Sequence, residues 1–392
     1  MEGLGILMAV CEVTPMVWKG RSGCCLSNGL IELTVLLWGG HIADFRSCGS
    51  PCNVLFESPW STIEPCVYSP GLHSGKYGEG PVGTFLSSFT GHALVLGYFG
   101  MPSPEETARG LPLHGEAACA EWQVLSSAAD DARAYLLLEA SLPKYQLRVK
   151  RTLSLLVRTS SVLVEEQVTN IGKADVDYQW VEHATFGEPF FAKEEAQLFI
   201  SAKQGRTWPE GYEGKELLIS DSNFDWPWAQ APGGERVDLS RAFLRSGTGF
   251  VAALLTEAER PHGFVAVHNQ PLKTVAGYFF DSRRFPWIAL WEENCARQYA
   301  PWNGKTRARG VEFGTSPMPT GLQKARLAKT LFHTPVFATL PARETVTTSY
   351  HLFTTAVPAD WRGIADVDAT ETDLRLRDAG GQSLRIPASR IT

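Results

Sequence analysis

Residues 147–170, LRVKRTLSLLVRTSSVLVEEQVTN, decide the fold class of this chain. Apolar side chains take nearly every second position on both sides of Arg158, Thr159 and Ser160, which have the character of a turn. Successive side chains of a strand point to opposite faces, so this alternation predicts two strands joined as a β-hairpin. Arg151 is the exception, because it falls on the apolar side of the first strand.

The same alternation recurs elsewhere, and long helical periodicity is scarce. Residues 31–37, before the turn at Gly39 and Gly40, and residues 346–352 are further predicted strands. The chain is therefore predicted to be all-β. Three segments rich in Gly, Pro and aromatic residues are predicted to be loops over a binding face, at 59–83, 208–234 and 302–322.

Length and composition set limits on organisation and partners. The 392 residues show neither a fixed-period repeat nor a low-complexity linker, so one domain over residues 1–392 is predicted, with an extension at 360–392. A net charge of -6 argues against nucleic acid or an anionic membrane as partner. Twelve tryptophans offer flat amphipathic rings, which suit the apolar C–H faces of a sugar. The predicted partner is therefore a small and fairly neutral molecule.

Cysteines and apolar runs bear on cofactors and location. The eight cysteines show no zinc-ligand spacing, since three residues separate Cys48 from Cys52, and we expect neither a metal nor another cofactor. The apolar run at 5–10 is short, has no Lys or Arg before it and ends at Glu12, which argues against a secretory signal. No window is long and apolar enough to span a bilayer, so a cytoplasmic location is expected.

Two titratable residues form the most specific functional pattern. His183 lies in WVEHATFG at 180–187, and Glu312 lies in RGVEFGTSP at 309–317, each on a predicted strand. Interconversion of sugar anomers needs one base for the C1 hydroxyl and one acid for the ring oxygen. A partly buried carboxylate and an imidazole suit these two tasks. Taken alone, a strand histidine such as His183 is more often a hydrogen-bonded core or edge residue than a catalyst, and Glu312 would more often face solvent.

A series of short motifs, in order over about residues 25–357, resembles the aldose 1-epimerase (galactose mutarotase-like) superfamily. The motifs are NGLIEL at 28–33, WGGHI at 38–42, PLHGE at 112–116, EEQVTN at 165–170 and GVE at 310–312. The resemblance implies a β-supersandwich of large antiparallel sheets whose concave face holds a sugar. It also implies that His183 is the acid, Glu312 the base, and His114 a second histidine near the reacting centre.

The chain departs from the family pattern in two places. The arginine that mutarotases commonly carry between the first strands and the His-Gly motif has no counterpart here, and Arg46 and Lys76 are only loose substitutes. The loop at 221–228 does not match either. The resemblance is thus to a divergent member, and the identity of the sugar stays open.

Further side chains are predicted to bind the substrate. Trp291 and Glu293 share one face of a predicted strand, where both could meet a sugar or serve as core and rim. Gln298 follows at the rim. Asp225, flanked by aromatic residues, could bind hydroxyls or cap a turn, and Arg206 near Trp208 raises the option of an anionic sugar.

Two other classes of function stay open at the level of sequence. A lyase or a glycosidase could use the same fold, and a glycosidase would need two carboxylates, for which Glu292 or Glu293 with Glu312 is the obvious pair. A non-catalytic sugar-binding protein is the other option. A homodimer is also possible, through an edge strand such as the one predicted around Val346.

Overall fold

The computed structural model describes residues 11–391, which form mainly antiparallel β-sheet. Two large sheets pack face to face around a shared apolar core, and a third, small sheet lies near the C-terminus. The predicted all-β fold is confirmed. The apolar run at 5–10 lies outside the described residues. Among residues 11–391, no helix is long and apolar enough to cross a membrane.

The first sheet contains 14 strands and carries the candidate site. Its order is β1-β2-β3-β4-β5-β10-β20-β19-β16-β12-β13-β14-β15, with β23 paired to β10. The strands are β1 Glu12–Trp18, β2 Arg21–Ser27, β3 Ile31–Leu36, β4 Ile42–Ser47, β5 His92–Gly97, β10 Val176–Gly187, β12 Ala202–Thr207, β13 Asn223–Asp225, β14 Trp228–Gln230, β15 Arg236–Asp238, β16 Thr248–Thr256, β19 Trp287–Asn294, β20 Arg307–Gly314 and β23 Ala338–Leu340.

The second sheet has eight strands in the order β11-β17-β18-β24-β9-β8-β7-β6. They are β6 Trp122–Ala129, β7 Arg133–Leu142, β8 Leu147–Leu156, β9 Ser161–Asn170, β11 Ala196–Ile200, β17 His262–Asn269, β18 Thr274–Asp281 and β24 Thr345–Ala356. A three-stranded sheet and a two-stranded one complete the β structure, with β25 Asp366–Ala369, β26 Asp373–Arg377, β27 Ser383–Pro387, β21 Thr330–Leu331 and β22 Thr334–Pro335.

Helices are short and lie between strands. They are the α-helices α1 Pro70–Tyr77, α2 Gly80–Leu86, α3 Pro104–Ala108 and α4 Leu322–Ala328, and the 3-10 turns Pro65–Val67 and Ala117–Cys119. Proline at the first helical position fits α1 and α3, because the amide missing from proline has no partner there in any helix.

The predicted hairpin is confirmed as β8 and β9. The alternation of its apolar residues explains which of its side chains enter the core. Leu147, Val149 and Leu153 on β8 are fully buried, as are Val162 and Val164 on β9, and all join the cluster between the two large sheets. Burying each such side chain stabilises the fold by roughly 1.5–3 kcal/mol. The apolar period of the sequence therefore fixes which face of this sheet turns inward.

Arg151 stays on the inward face because the core provides partners for its charge. Its Nε lies 2.5 Å from Oε1 of Glu166, directly opposite on β9, and its Nη2 lies 3.6 Å from Oε2 of Glu182 on β10. Nη1 donates to the carbonyl of Gly40 at 2.7 Å. A buried charge is tolerated only when it is paired and hydrogen-bonded in this way.

The segments predicted to be loops contain regular structure. Residues 302–322 include β20, a central strand between β10 and β19, and its Arg309 is buried because it pairs with Glu292 on β19. This strand agrees with the one predicted around Glu312, and the loop predicted over the whole segment is wrong there because glycines and charged residues dominate its composition. Residues 59–83 include α1 and the start of α2, and residues 208–234 include β13 and β14.

The strand predicted around Val346 is part of β24, which lies between β9 and β18 in the second sheet. Its pairing with β18 begins only at Tyr350, and Val346 lies before that point and pairs with Val168 on β9. A homodimer stays a prediction.

The C-terminal sheet covers the outer face of the second large sheet. Val367, Leu374, Leu376 and Ile386 are buried against a cluster that includes Phe279 on β18. This contact explains why β17 and β18 read as continuous apolar runs, since both of their faces are buried. The prediction of one domain over residues 1–392 stays a prediction.

Candidate active site

His183 and Glu312 meet because β10 and β20 are neighbours. The register that pairs Glu182 with Phe313 and Thr185 with Gly310 sets His183 opposite Glu312. Their side chains rise from the same face of the sheet, and Nε2 of His183 lies 3.3 Å from Oε1 of Glu312. Nδ1 of the same ring lies 3.2 Å from the hydroxyl of Thr185. Two residues 129 positions apart in sequence thus form one acid–base pair.

Small residues on the neighbouring strands make room for this pair. Ala93 on β5 lies opposite His183, and Ala289 on β19 lies opposite Glu312. Gly310 is the tightest point, because a Cβ there would come within 2.2 Å of Oε1 of Glu312 and 3.2 Å of the Trp291 ring. The carboxyl group therefore occupies the space that a side chain at residue 310 would fill.

His114 reaches the pair from a loop with a constrained backbone. Its φ of 66° is in the left-handed region, and the next residue, Gly115, has a φ of 83° with its Cα packed on the carbonyl of Leu96. The amide of Gly100 donates to Nδ1 of His114 at 3.1 Å. The ring proton is therefore on Nε2, which leaves an N–H donor beside His183, whose ring centroid is 5.3 Å away.

An aromatic wall encloses these three polar groups in a cavity of about 290 Å³. Phe89 and Trp291 contact the His183 ring at centroid distances of 5.4 and 6.1 Å. Trp302 packs edge-on against Trp291 at 5.9 Å. The helix α2 adds Phe85, which contacts the rings of both histidines. The wall excludes water from most of the acid–base pair, as His183 is only 4% exposed and Glu312 only 2%.

A second polar group lies on the other side of these tryptophans. The guanidinium of Arg297 stands over the Trp302 ring at 5.1 Å and over the Tyr212 ring at 4.6 Å. Its Nε donates to Glu213 at 2.8 Å, and the hydroxyl of Tyr299 donates to the same carboxylate. Arg297, Glu213 and Tyr299 all line the cavity.

Glu293 supports this group from behind. Its carboxylate accepts from the Tyr212 hydroxyl at 2.8 Å, from Nη1 of Arg297 at 3.2 Å, and from the backbone amides of residues 296 and 297. Tyr212 in turn accepts from the indole of Trp291 at 2.8 Å. Glu293, which is fully buried, is not among the residues that line the cavity and fixes the positions of Tyr212 and Arg297.

Burial governs the protonation of the site. It lowers the pKa of His183 to about 3 and raises the pKa of Glu312 well above its ordinary value near 4.5. Burial also lowers the pKa of His114 well below 6.5, and the neighbouring His183 adds to this effect. Each group thus favours its uncharged form, so that the His183–Glu312 pair holds one proton over a wide range of pH.

The structure brings some of the predicted site residues together and leaves others apart. His183, Glu312, His114 and Trp291 all line the cavity. Four predicted substrate-binding residues do not, namely Asp225, Arg206, Gln298 and Glu293, and the carboxylate of Glu293 is held by Tyr212 and Arg297 as described above. Asp225 is exposed on β13, Arg206 pairs with Asp221 at 2.8 Å, and the exposed Gln298 donates to the backbone carbonyl of Cys295 at 2.9 Å.

Neither of the carboxylates considered as a partner for Glu312 in glycoside cleavage lines the cavity. Glu292 points away from Trp291 and is bound to Arg309, while Glu293 is occupied by the contacts described above. Both are buried and hydrogen-bonded to the protein, so neither of them offers the second carboxylate that glycoside cleavage would need.

Sequence reasoning missed Arg297, Tyr212 and Glu213. Their segments, 208–216 and 295–302, have no regular period, and only the tryptophans at 208 and 302 marked them as ordered. The role of Gly310 was missed as well. A glycine between an arginine and a valine in a strand pattern signals a close approach of another group, and this is the one signal that could have located it.

Comparison with known proteins supports the fold. No protein-family model matches the chain, and no curated protein matches it either. A candidate aldose 1-epimerase from Klebsiella pneumoniae has a similar structure, with a TM-score of 0.63 and 17% identity over 88% of this chain and 83% of that one. A galactose mutarotase-like protein from Clostridium acetobutylicum has a TM-score of 0.57 and 13% identity over 89% of this chain and 99% of that one. A candidate aldose 1-epimerase from Escherichia coli K12 has a TM-score of 0.53 and 14% identity over 88% of this chain and 100% of that one.

These similarities show that the chain has the galactose mutarotase-like fold. The β-supersandwich predicted from the short motifs is confirmed, and so is the resemblance to that superfamily at the level of the fold. At such low identity, fold similarity alone does not establish an activity, which must be argued from the site.

Proposed function

We propose that this protein is an isomerase of the aldose 1-epimerase type, which interconverts the anomers of a free sugar. The observation that carries the proposal is the pairing of His183 with Glu312 across adjacent strands, inside one cavity with an aromatic wall. Glu312 takes the proton of the C1 hydroxyl, and His183 gives a proton to the ring oxygen. The C1–O bond of the ring then breaks, and C1 becomes a carbonyl.

Ring closure completes the reaction without any net change. Rotation about the C1–C2 bond presents the other face of the carbonyl to the hydroxyl formed from the ring oxygen. This hydroxyl attacks C1 and returns its proton to His183, while Glu312 returns its proton to the carbonyl oxygen. The pair carries one proton throughout, as carboxylate and imidazolium before ring opening, and as carboxylic acid and neutral imidazole after it. Burial of both groups favours the second arrangement, which is the one that exists alongside the open-chain sugar.

His114 has a supporting role in this proposal. Its Nδ1 accepts from the amide of Gly100, so its Nε2–H donates to a sugar oxygen next to the reacting carbon. Because burial keeps this imidazole neutral, it positions the sugar without competing for the proton of the pair. Trp291 offers its ring face to the C–H groups of the pyranose.

One experiment distinguishes this function from its alternatives. A panel of freshly dissolved free sugars and of methyl glycosides is followed by polarimetry and proton NMR, with spontaneous mutarotation subtracted. Faster equilibration of free sugars with no new products supports the proposal. Cleaved or unsaturated products would indicate a glycosidase or a lyase, and saturable line broadening without faster exchange would indicate a binding protein.

The control for the panel is Glu139→Gln, since Glu139 is a strand carboxylate in the second sheet that pairs with Arg148 and Lys150. This variant makes the same isosteric exchange of Glu for Gln as Glu312→Gln but leaves the cavity unchanged. Its rate of anomer equilibration should equal that of the native protein. Each of the two catalytic groups is expected to contribute roughly 10²- to 10⁴-fold.

A further inference from the structure

The polar groups of the cavity are few and grouped at two places. Apart from tryptophan, six lining residues carry hydrogen-bonding side chains, namely His114, His183, Glu213, Arg297, Tyr299 and Glu312. His114, His183 and Glu312 form the reacting end, and Glu213, Arg297 and Tyr299 lie beyond Trp291 and Trp302. Most other lining side chains are apolar. A free pyranose has a ring oxygen and as many as five hydroxyl groups, so these side chains are few for a fully hydroxylated sugar even when the unpartnered indole N–H of Trp208 is counted with them.

The second polar group has little capacity left for a ligand. Glu213 already accepts from Nε of Arg297 at 2.8 Å and from the hydroxyl of Tyr299 at 2.9 and 3.0 Å. Arg297 also donates to Glu293 and is held between the Tyr212 and Trp302 rings. Polar side chains that are bound to one another in this way compete with a sugar for the same donors and acceptors.

The part of the cavity wall that α2 contributes is apolar. Val82, Phe85 and Leu86 on α2 line the cavity together with Met101 and Leu113 from the loops after β5. A hydroxyl turned toward these side chains loses its hydrogen bonds to water and gains none from the protein. A hydrogen or a methyl group at the same carbon instead buries apolar surface against them.

The charges around the cavity disfavour an anion. Among the described residues that line it, Arg297 is the only Lys or Arg, and it is flanked by the carboxylates of Glu213 and Glu293. Arg206, considered from the sequence as a partner for an anionic sugar, pairs with Asp221 outside the lining. A phosphate or a carboxylate on the sugar would meet more negative than positive charge here.

From these features we infer that the substrate is an uncharged sugar with an apolar edge, of the deoxyhexose class, an inference that rests on the proposed function. The reacting end, formed by His114, His183 and Glu312, binds the anomeric hydroxyl, the ring oxygen and one neighbouring group of the sugar. The apolar wall receives the deoxygenated edge. Specificity then comes from the lack of hydroxyl partners along α2 as much as from the partners present.

The test compares matched sugars. Mutarotation kcat/KM is measured for D-glucose and D-galactose, for the 2-deoxy and 6-deoxy forms of each, and for D-glucose 6-phosphate. At least one deoxy position should raise kcat/KM about tenfold or more over both parents, because an unpaired buried hydroxyl is lost. The phosphate should be the poorest of the series. Parents that equal or exceed all of their deoxy forms would overturn the inference, as would a preference for the phosphate.

Two variants test the stated causes. Val82→Thr, nearly isosteric, places a hydroxyl on the apolar wall and should lower the preference for the best deoxy sugar severalfold. Glu213→Gln removes one carboxylate that competes for Arg297 and should improve KM for the 6-phosphate more than for the uncharged parent. If neither variant alters discrimination, the apolar wall and the charge balance are not the cause, and the inference is wrong.

Binding separates this inference from the proposed function. Quenching of tryptophan fluorescence reports occupancy, since Trp291 and Trp302 line the cavity. Tighter binding of deoxy sugars without faster anomer exchange would overturn the proposed isomerase and keep the substrate class. Exchange that is accelerated equally for all neutral sugars would keep the isomerase and overturn the substrate class. If no sugar on the panel is bound or turned over, both are wrong.

Discussion

His183 in the cavity and His351 under the C-terminal sheet make an instructive comparison. Both are buried histidines on central strands, and burial lowers the pKa of both, to about 3 for His183 and about 4 for His351. Their partners differ. Nε2 of His351 donates to the backbone carbonyl of Ser389 at 2.7 Å, whereas Nε2 of His183 faces the carboxyl group of Glu312 and an open cavity.

The difference shows which features set the proposed acid, His183, apart from a buried histidine with only a structural role. A lowered pKa only reports burial, and a backbone carbonyl satisfies the ring without offering any proton to exchange. A titratable partner and space for a ligand are the additional requirements. The outer face of the second sheet has apolar strands and a buried histidine, but the chain covers that face with its own C-terminal sheet.

The largest expected effect separates the two histidines directly. His183→Gln should lower the rate of anomer equilibration by roughly 10²- to 10⁴-fold, because glutamine cannot carry the proton of an acid. His351→Gln retains an amide donor for Ser389 and should keep kcat unchanged. Polarimetry on a neutral sugar measures both variants. Equal loss of activity in the two would mean that burial rather than proton transfer explains the effect.

The covered face should respond to substitution in stability instead. Leu376→Ala in β26 removes a fully buried side chain of the C-terminal cluster and should lower the free energy of unfolding by roughly 2–5 kcal/mol. The activity of each folded molecule should stay the same. Urea denaturation and the rate per active site measure the two quantities. A fall in kcat without a loss of stability would show that the C-terminal sheet acts on the cavity.

The floor of the cavity offers a third test. Gly310→Ala places a Cβ in the space that Oε1 of Glu312 occupies, which forces the carboxyl group away from His183. Displacement of a reacting group by about 1 Å costs on the order of 10²-fold in rate. We expect that loss in kcat with little change in the far-ultraviolet circular dichroism. Unchanged kcat would mean that the 3.3 Å contact is not needed for reaction.

The smallest expected effect is that of pH. Since burial lowers the pKa of His183 to about 3, a second proton binds to the pair only in acid, and since burial raises the pKa of Glu312, the pair keeps its single proton to a higher pH than a free carboxyl group would. Lowering the pH should therefore not reduce activity until about pH 4, whereas raising the pH should reduce activity where the single proton is lost. A steep fall in activity as the pH is lowered from 7 to 5 would contradict this account.

Proton binding to either histidine changes the free energy of unfolding in the same direction. A histidine whose pKa is lower in the folded state binds more protons when unfolded, so the folded state loses stability as pH falls from about 6.5 toward the lowered value. For His351 this window ends at about 4. His351→Gln should therefore make the free energy of unfolding less dependent on pH within that window, a change that urea denaturation at several pH values measures.

Much of the fold was predictable because strand alternation is a local signal. The hairpin of β8 and β9 was found from its apolar period alone, and the order of short motifs indicated the fold. Strand β20 was partly hidden, since Arg309 is buried through its pairing with Glu292 and Gly310 has no side chain to show the period. Such positions depend on neighbouring strands and cannot be recognised within one segment.

Residues of the cavity were predictable where the residue type or a family motif marks them. His183 and Glu312 were predicted from their chemistry, His114 from the resemblance to the mutarotase-like superfamily and Trp291 from its ring, and all four line the cavity. Arg297 and Glu213 depend on the paths of irregular loops, which no period describes. Asp225 and Arg206 were chosen because they lie near aromatic residues in sequence, whereas the β12–β13 hairpin places both outside the lining of the cavity.

The most direct test is anomer exchange in Glu312→Gln. Two-dimensional exchange NMR measures the rate between anomers at equilibrium, and glutamine keeps the shape of the side chain while removing the base. We expect the rate to fall by roughly 10²- to 10⁴-fold toward the spontaneous value, with the protein folded and sugar still bound. A variant that equilibrates the anomers as fast as the native protein would contradict the assignment of Glu312 as the base.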